Sequence, residues 1–599
     1  MSDVAAEVEV VGERAPPDRR DLDIEPSDVD LADVFERHAS ATVLRLGADG
    51  DYATVSLRGA SPRHVGMWLD GIPLNPDGAA AVDLSEWPAS WIETIQLTPG
   101  PPPVALASAP IGGAVTMTSR WDVPGLRWDV GSFGRMGLAV AHHGVAALVQ
   151  HTDGDFPLLD DAGTPSAGLD DAILRRANND RTAGQLLAGH GVGPVRTLGH
   201  LAWTDEGVPG AQGAGTPGVR LRTRRALAGL RWTASPNTGA TASAVLREEQ
   251  LDDPLGSLDG APSATSARSA HAGLATDHRH IVGPWRVEGA VNANLATLAV
   301  DGDVPASALR GVGSAAVDAG WDGGHASLVG GVQATGGSDG APVGAAVPRL
   351  RATFRTRTTA VGAWFAGGHR LPDLDERHAV RGSFQGNPDL RPERSLGGGV
   401  DAIATVGPLQ VAGGSYVRVV RDAIAWSQNA QRVFVPLNLG RVVMAGVDGG
   451  ASGSWGRFSP RLAGTVASAV VHDGAPDTVG QRVPGLPPWR LTGGLDVGLP
   501  AATSAGVEAA ADGGVALDSI GLRSTPPRAD IGLVASWKPA PAWHLSGAVR
   551  HPFRDVAVAV VPVDPLDAAA GQRVAAVVDH AGWPLPGRRF GATVTWSPP

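Results

Sequence analysis

Two patterns of apolar and polar positions divide the chain. Between residues 54 and 120, short apolar runs alternate with Gly and Pro punctuation. Val55 and Leu57 end in Arg58-Gly59, and Val65, Met67 and Leu69 end in Asp70-Gly71-Ile72-Pro73. Ile92, Ile95 and Leu97 lead into Pro99-Gly100-Pro101, and Ile111-Gly112-Gly113-Ala114-Val115 closes the stretch. Runs of period two bounded by such dipeptides predict short strands joined by tight turns. Just upstream, residues 28–37 predict a short helix with Leu31, Val34 and Phe35 on one face and Asp28 as its N-cap.

From Arg127 onward the pattern becomes repetitive, with runs of about ten residues alternating in polarity between turn residues. Phe590, Ala592, Val594 and Trp596 share one face, against Gly591, Thr593 and Thr595 on the other. Trp489, Leu491, Leu495, Val497 and Leu499 oppose Arg490, Thr492 and Asp496, and Val287, Val291 and Leu295 oppose Glu288, Asn292 and Asn294. One apolar and one polar face per strand is what a barrel between lipid and a wet lumen requires. A soluble sandwich gives the same alternation, so the pattern leaves both open. The longest uncharged run, 94–119, carries Pro99, Pro101, Pro102, Pro103 and Pro110 and predicts no bilayer-spanning helix. A closed barrel crosses lipid without one.

The order of the first set of pieces resembles the plug domain of TonB-dependent outer-membrane receptors: an RG pair, a DG-I-P step, an IE-x-I-x-L-x-x-G-P step and a final IGG-x-V. Later stretches resemble the same family. Gly131-Ser132-Phe133-Gly134 stands where its first barrel strand opens, and Gly154-Asp155-Phe156 with Arg175, Arg176 and Asn178 is similar to an early loop and strand. Gly207-Val208-Pro209-Gly210 is similar to an early-barrel motif without identifying a ligand. The most specific barrel match is Gly386-Asn387-Pro388-Asp389-Leu390-Arg391-Pro392-Glu393, and residues 438–446 and 586–596 fit later strands. The resemblance covers nearly the whole chain. One departure is the Ser597-Pro598-Pro599 tail beyond Trp596, where such barrels usually finish on an aromatic residue.

The resemblance implies an all-β membrane protein: a transmembrane antiparallel β-barrel of about 22 strands with an N-terminal globular plug filling its lumen. Residues 125–599 shared among that many strands leave about 21 or 22 residues for each strand with its connection. The division it implies is an N-terminal extension at 1–26, a plug at 27–124 and a barrel at 125–599. Val8, Glu9, Val10 and Val11 become the TonB box, which would pair as an added strand with a TonB-type periplasmic coupling protein; a frayed N-terminus is the bland reading of the same strip. Arg58, Gly59, Asp70, Gly71, Gly100, Gly112 and Gly113 become the plug motifs, with Arg58 holding the plug through ion pairs to barrel carboxylates. The implied ligand is a scarce small-molecule chelate such as a ferric siderophore or cobalamin. Outer-membrane lipid surrounds a monomer, and no substrate-binding residue is assigned.

Composition agrees with an all-β chain rich in turns. With 81 Gly and 47 Pro, but 43% hydrophobic residues and 17 Trp, it is too apolar for disorder and lacks the collagen period. A net charge of −12 argues against nucleic acid as a partner. The absence of Cys removes disulfides, thiolate metal sites and a cysteine nucleophile. Trp128, Trp232, Trp364, Trp489, Trp537 and Trp596 fall near expected strand ends and predict interfacial girdles. No apolar stretch follows Met1, so either the true start lies upstream or export is not this chain's fate.

Catalytic constellations are missing from the sequence: it has no Walker loop and no H-E-x-x-H, which points away from an enzyme, a cofactor or a resident metal. His278 and His280 with His271 are a metal-ligand possibility, outweighed by ordinary structural roles. Asp49-Gly50-Asp51 reads as a turn rather than a calcium loop, the acidic stretch 153–161 as a solvated loop, and Arg222, Arg224 and Arg225 as structural. Rival functions are a transducing receptor, for which the segment before the plug helix is too short, a degenerate non-transporting receptor, and a soluble β-rich binding protein.

Overall fold

The computed structural model describes residues 19–598 except 26, 39, 46–49, 76–80, 121–124, 161–170, 212–213, 259, 303, 339–341, 382–383, 429–433, 565–566 and 581. The strip Val8, Glu9, Val10 and Val11 lies outside the described residues, as does Asp49.

The N-terminal part is a small mixed domain. Its elements are β1 (Arg20–Leu22), α1 (Leu31–Glu36), β2 (Ala41–Arg45), β3 (Ala53–Leu57), β4 (Val65–Leu69), β5 (Ile72–Pro73), β6 (Ile92–Thr98) and β7 (Gly113–Ser119). Five of these strands form a sheet in the order β1-β6-β7-β4-β5, and β2 and β3 form a separate hairpin. β4 runs parallel to β7, while β1 and β6 pair antiparallel. Leu31, Phe35, Leu57, Met67, Ile95 and Val115 are fully buried between these layers. α1 is capped two residues later than expected. Asp30 is the N-cap, its carboxylate accepting from Asp33 N–H at 3.2 Å. Asp28 instead takes Arg37 as partner (2.5 Å) and accepts from Glu25 N–H (2.7 Å), bracing the segment that leads into the helix.

Around this domain, 22 strands close into one antiparallel barrel. The last strand, Arg589–Trp596, pairs with the first, Gly125–Gly131, so that no edge is left open. Strand length rises from seven residues at Gly125–Gly131 to 20 at Ser263–Val282. One end of the barrel carries tight turns such as those after His142, Val192 and Val282; the other carries long connections with small sheets of their own. The expected alternation holds. Leu246, Leu274, Val291, Leu295, Leu309 and Leu491 point outward and are about half exposed or more, while Arg490, Thr492 and Thr593 point inward and are buried. An outer wall this apolar needs lipid against it.

Trp128, Trp232, Trp537 and Trp596 face outward near the tight turns, joined there by Trp285, Trp321 and Trp543, and Trp489 faces outward at the long-loop end. Trp364 departs from the expected girdle. It sits in mid-strand at 6% exposure on the inward phase, between outward Ala363 and Phe365, and its indole N–H donates to Asp401 at 3.0 Å. The plug fills the lumen, and its core is continuous with the barrel's inner wall through Leu148, Leu187, Leu198, Leu227 and Val245.

Candidate functional site

The turn after β3 places Arg58 against the barrel. Arg58 and Gly59 both have positive φ (47° and 73°), a conformation that glycine takes without strain and that bends the chain back at once. Arg58 N–H donates to Ser40 O (3.0 Å) and Ala60 N–H to Leu57 O (2.9 Å), which fixes the turn. The guanidinium then reaches two barrel strands. Its Nε donates to Asp448 Oδ2 at 2.6 Å, and its Nη2 donates to Asp401 Oδ1 at 2.5 Å and to Asp448 Oδ1 at 3.3 Å. Ser40 Oγ donates to Asp448 (3.1 Å), Arg20 Nη2 donates to Asp401 (3.5 Å), and the Tyr416 ring lies 5.3 Å from the Arg58 carbon Cζ. Arg58, Asp401 and Asp448 are all buried. Burial disfavours the charge on Arg58, but Asp448 and Asp401 outweigh it, so its pKa stands above the ordinary value. Nearby His38 is shifted the other way, down to about 4, by burial and then by Arg20.

The other plug motifs are backbone devices. Asp70 and Gly71 (φ 52° and 79°) make the tight turn between β4 and β5, and the Asp70 carboxylate accepts from Ser119 N–H at 3.0 Å and from the Ser119 hydroxyl. Burial raises the Asp70 pKa. Gly112 passes so close to Ala60 and the His64 carbonyl that a Cβ would lie 2.9 and 3.0 Å from them, and its N–H donates to that carbonyl at 2.7 Å. Gly113 has φ +106°, and a Cβ there would lie 2.4 Å from Thr98 O. Gly100 is buried in the proline turn after β6. Because proline has no N–H, that turn offers the barrel chiefly acceptors. The barrel answers with arginines: Arg418 donates to Pro99 O (3.5 Å), Arg351 to Pro101 O (2.9 Å) and Arg349 to Pro102 O.

A second plug–barrel node lies near the long loops. His64 Nδ1 accepts from Ser61 N–H at 3.2 Å, which leaves the Nε2–H to donate to Glu393 at 2.9 Å. Glu393, the last residue of the GNPDLRPE stretch, also accepts from Arg370 and from Ile424 N–H (2.7 Å). Arg370 pairs in turn with Glu376 (2.8 Å), and Arg63 pairs with Asp373. The sequence marks Glu393 only as part of a motif and does not single out His64, Arg370, Asp401 or Asp448. A usable signal exists for the last two: each is a lone acid among Gly and Ala on the inward phase of its strand.

The remaining candidates separate. His271 faces the lumen while His278 and His280 face outward, so the three histidines do not converge. Arg222 and Arg224 lie on the outer phase with Asp205, Asp252 and Glu248. Arg225 faces inward, pairs with Glu86 of the plug at 2.8 Å and lies 4.7 Å over the Trp87 ring. In the acidic loop, Asp155 pairs with Arg175 at the surface. Gly50 is a turn glycine (φ +91°).

Comparison with known proteins matches residues 14–114 to the TonB-dependent Receptor Plug Domain and residues 215–550 to the TonB dependent receptor-like beta-barrel. Solved structures share the whole architecture. The Copper transporter OprC is 16% identical over 97% of this chain and 98% of its own, with a TM-score of 0.75. The FrpB iron transporter from Neisseria meningitidis (F5-1 variant, apoprotein form) is 12% identical over 98% and 100%, with a TM-score of 0.71. The siderophore receptor PirA from Acinetobacter baumannii is 13% identical over 97% and 98%, with a TM-score of 0.70. At these identities the structures speak for the fold, and the family match over more than half of the chain speaks for descent. With a closed 22-strand barrel, a plug in its lumen and both family models matched, the chain belongs to the TonB-dependent receptor family.

Proposed function

We propose that this protein is an outer-membrane importer of a scarce metal chelate, driven by a TonB-type coupling protein acting on Val8, Glu9, Val10 and Val11. The observation that carries the reading is the occupied lumen. A barrel of 22 strands is wide enough to leak, and here a plug is pinned inside it by Arg58 between Asp401 and Asp448. A plug held by buried ion pairs closes the barrel at rest and releases only under work. The neighbours described as copper, iron and siderophore proteins favour a metal or its chelate as ligand, a class into which a ferric siderophore or cobalamin falls. The protein acts as a monomer with no catalytic group, resident metal or cofactor, and the division at 1–26, 27–124 and 125–599 follows its three tasks of coupling, gating and spanning.

The test is fractionation of the native host with gel mobility before and after boiling, followed by energy-dependent uptake of radiolabelled iron, copper and cobalamin. An outer-membrane band that shifts on boiling, with uptake lost on deleting residues 8–11, is the expected result. Binding with no energy-dependent uptake above that of a strain lacking the receptor would favour a non-transporting surface receptor. A soluble, unshifted band would leave a β-rich binding protein.

A further inference from the structure

Three neighbouring barrel strands, Glu393–Val406, Leu409–Arg421 and Arg441–Gly453, each carry an arginine near the long-loop end. The residues beside them fix its direction: Glu393, Val420 and Val442 point inward and are fully buried, so Arg394, Arg421 and Arg441 point outward and are exposed. The register sets the three in one row, with Arg394 directly opposite Arg421 and Arg421 directly opposite Arg441. Like charges directly opposite each other on one face of a sheet are destabilising. Among the described residues no carboxylate pairs with any of the three: Asp422 is taken by Arg391 at 2.7 Å, and Arg394 donates to Gly344 O at 3.0 Å. Asp473 stands opposite Arg441 and leaves the row with three positive charges against one negative. Elsewhere on the outer wall arginines are neutralised: Arg222 lies between Asp205 (3.2 Å) and Asp252 (2.7 Å), and Arg268 pairs with Glu248 (2.8 Å).

We propose that the row Arg394–Arg421–Arg441 binds the phosphate of a phosphorylated lipid in the outer leaflet. Each arginine lies twelve residues from the tight-turn end of its strand, at Val406, Leu409 or Gly453. At about 3.3 Å per residue and a tilt of about 40°, that is roughly 30 Å along the membrane normal, just beyond an apolar band about 25 Å tall. The row therefore stands at headgroup height. Beneath it the outward residues Leu396, Val400, Val417 and Val447 are apolar and about half exposed, a surface for acyl chains. Guanidiniums about 5 Å apart match the acceptor oxygens of a phosphate monoester, which carries a charge of about −1.5 to −2 at neutral pH. A lipid phosphate bridging the row thus removes the repulsion that the bare row carries. A solute bound for the lumen does not meet these side chains, because the barrel wall stands between. The inference needs the barrel to stand in a membrane and does not depend on import.

The test uses the full chain purified in an uncharged detergent, with folding checked by gel mobility before and after boiling. Lipid A, a glycolipid bearing phosphate monoesters, is titrated by native mass spectrometry, and a heating series of the folded band gives a thermal midpoint. Lipid A should bind the unaltered chain at least about ten-fold more tightly than the triple variant Arg394→Gln, Arg421→Gln, Arg441→Gln, and should raise the midpoint of the unaltered chain alone. Dephosphorylated lipid A should bind the unaltered chain as weakly as lipid A binds the triple variant. Without lipid, the triple variant should melt no lower than the unaltered chain, since the substitutions remove repulsion. Arg421→Gln alone takes away the central charge and should weaken binding at least about three-fold, which keeps the test open if the triple variant does not fold. Arg268→Gln, at a site that Glu248 already neutralises, should bind as the unaltered chain does. Undiminished binding by the folded triple or single variant, undiminished binding of dephosphorylated lipid A, or an equal loss in Arg268→Gln would each overturn the proposal. Inorganic phosphate raising the midpoint as far as lipid A does would overturn the lipid as occupant. Absent uptake by the unaltered receptor in cells would sink the import reading and leave these measurements standing.

Discussion

Arg58→Ala is the most informative single perturbation of the plug. It leaves Asp401 and Asp448, 1% and 8% exposed, facing a vacated space without their common guanidinium. Removing one partner of a buried ion pair costs about 3–5 kcal/mol, because an uncompensated charge stays behind. Two residues soften the loss here: Arg20 still reaches Asp401 at 3.5 Å and Ser40 still donates to Asp448 at 3.1 Å. The low end, about 3 kcal/mol, is therefore the expected destabilisation of plug docking, a shift of roughly a hundred-fold in the docked-to-released ratio. The assay is limited proteolysis of the plug across a urea series, with gel mobility before boiling reporting the barrel separately. Arg58→Ala should move plug cleavage to lower urea and leave the barrel band unshifted. Adding Asp401→Asn and Asp448→Asn should restore part of the loss, since both uncompensated carboxylates go and of the paired charges only Arg20 remains. An unchanged midpoint for Arg58→Ala, or a triple variant weaker than the single one, would refute the assignment of these pairs as the plug's lock.

Two further predictions use the same urea assay. Gly113→Ala should destabilise the plug by more than about 1 kcal/mol, because φ +106° is strained for any side chain and the new Cβ would lie 2.4 Å from Thr98 O; wild-type behaviour would contradict the close approach. His38 has its pKa lowered to about 4, so its folded form favours the neutral ring, and the stability this contributes is present above the unfolded value near 6.5 and lost as pH falls toward 4. The stability difference between wild type and His38→Gln should change between pH 7 and pH 4, with wild type losing ground; a difference independent of pH would contradict it.

The local grammar of this chain is written in its sequence. Arg58-Gly59, Asp70-Gly71 and Gly112-Gly113 announce positive φ and close approach, which are properties of a few neighbouring residues. The alternation of the long second part announces outward apolar and inward polar phases, because the pleat has a period of two whatever the strand pairs with. Even locally the pattern can mislead. Both Asp28 and Asp30 precede the helix, and only the contact of Asp28 with Arg37 decides that Asp30 takes the cap. Trp364 departs from the expected girdle for a local reason: alternation with outward Val361, Ala363 and Phe365 puts it on the inward phase, where Asp401 accepts its indole N–H.

What tertiary structure alone decided are the pairings across distance. Arg58 finds Asp401 and Asp448 at separations of 343 and 390 residues, and His64 finds Glu393 at 329. No periodicity in one chain encodes such partners, because each is chosen by which strands the closing barrel brings beside the plug. The pairing of Arg225 with Glu86 of the plug belongs to the same class. Sequence determined which residues could turn, alternate and carry charge. Only closure of the barrel around the plug set which charges meet, since a buried guanidinium keeps its charge only where folding delivers carboxylates to it.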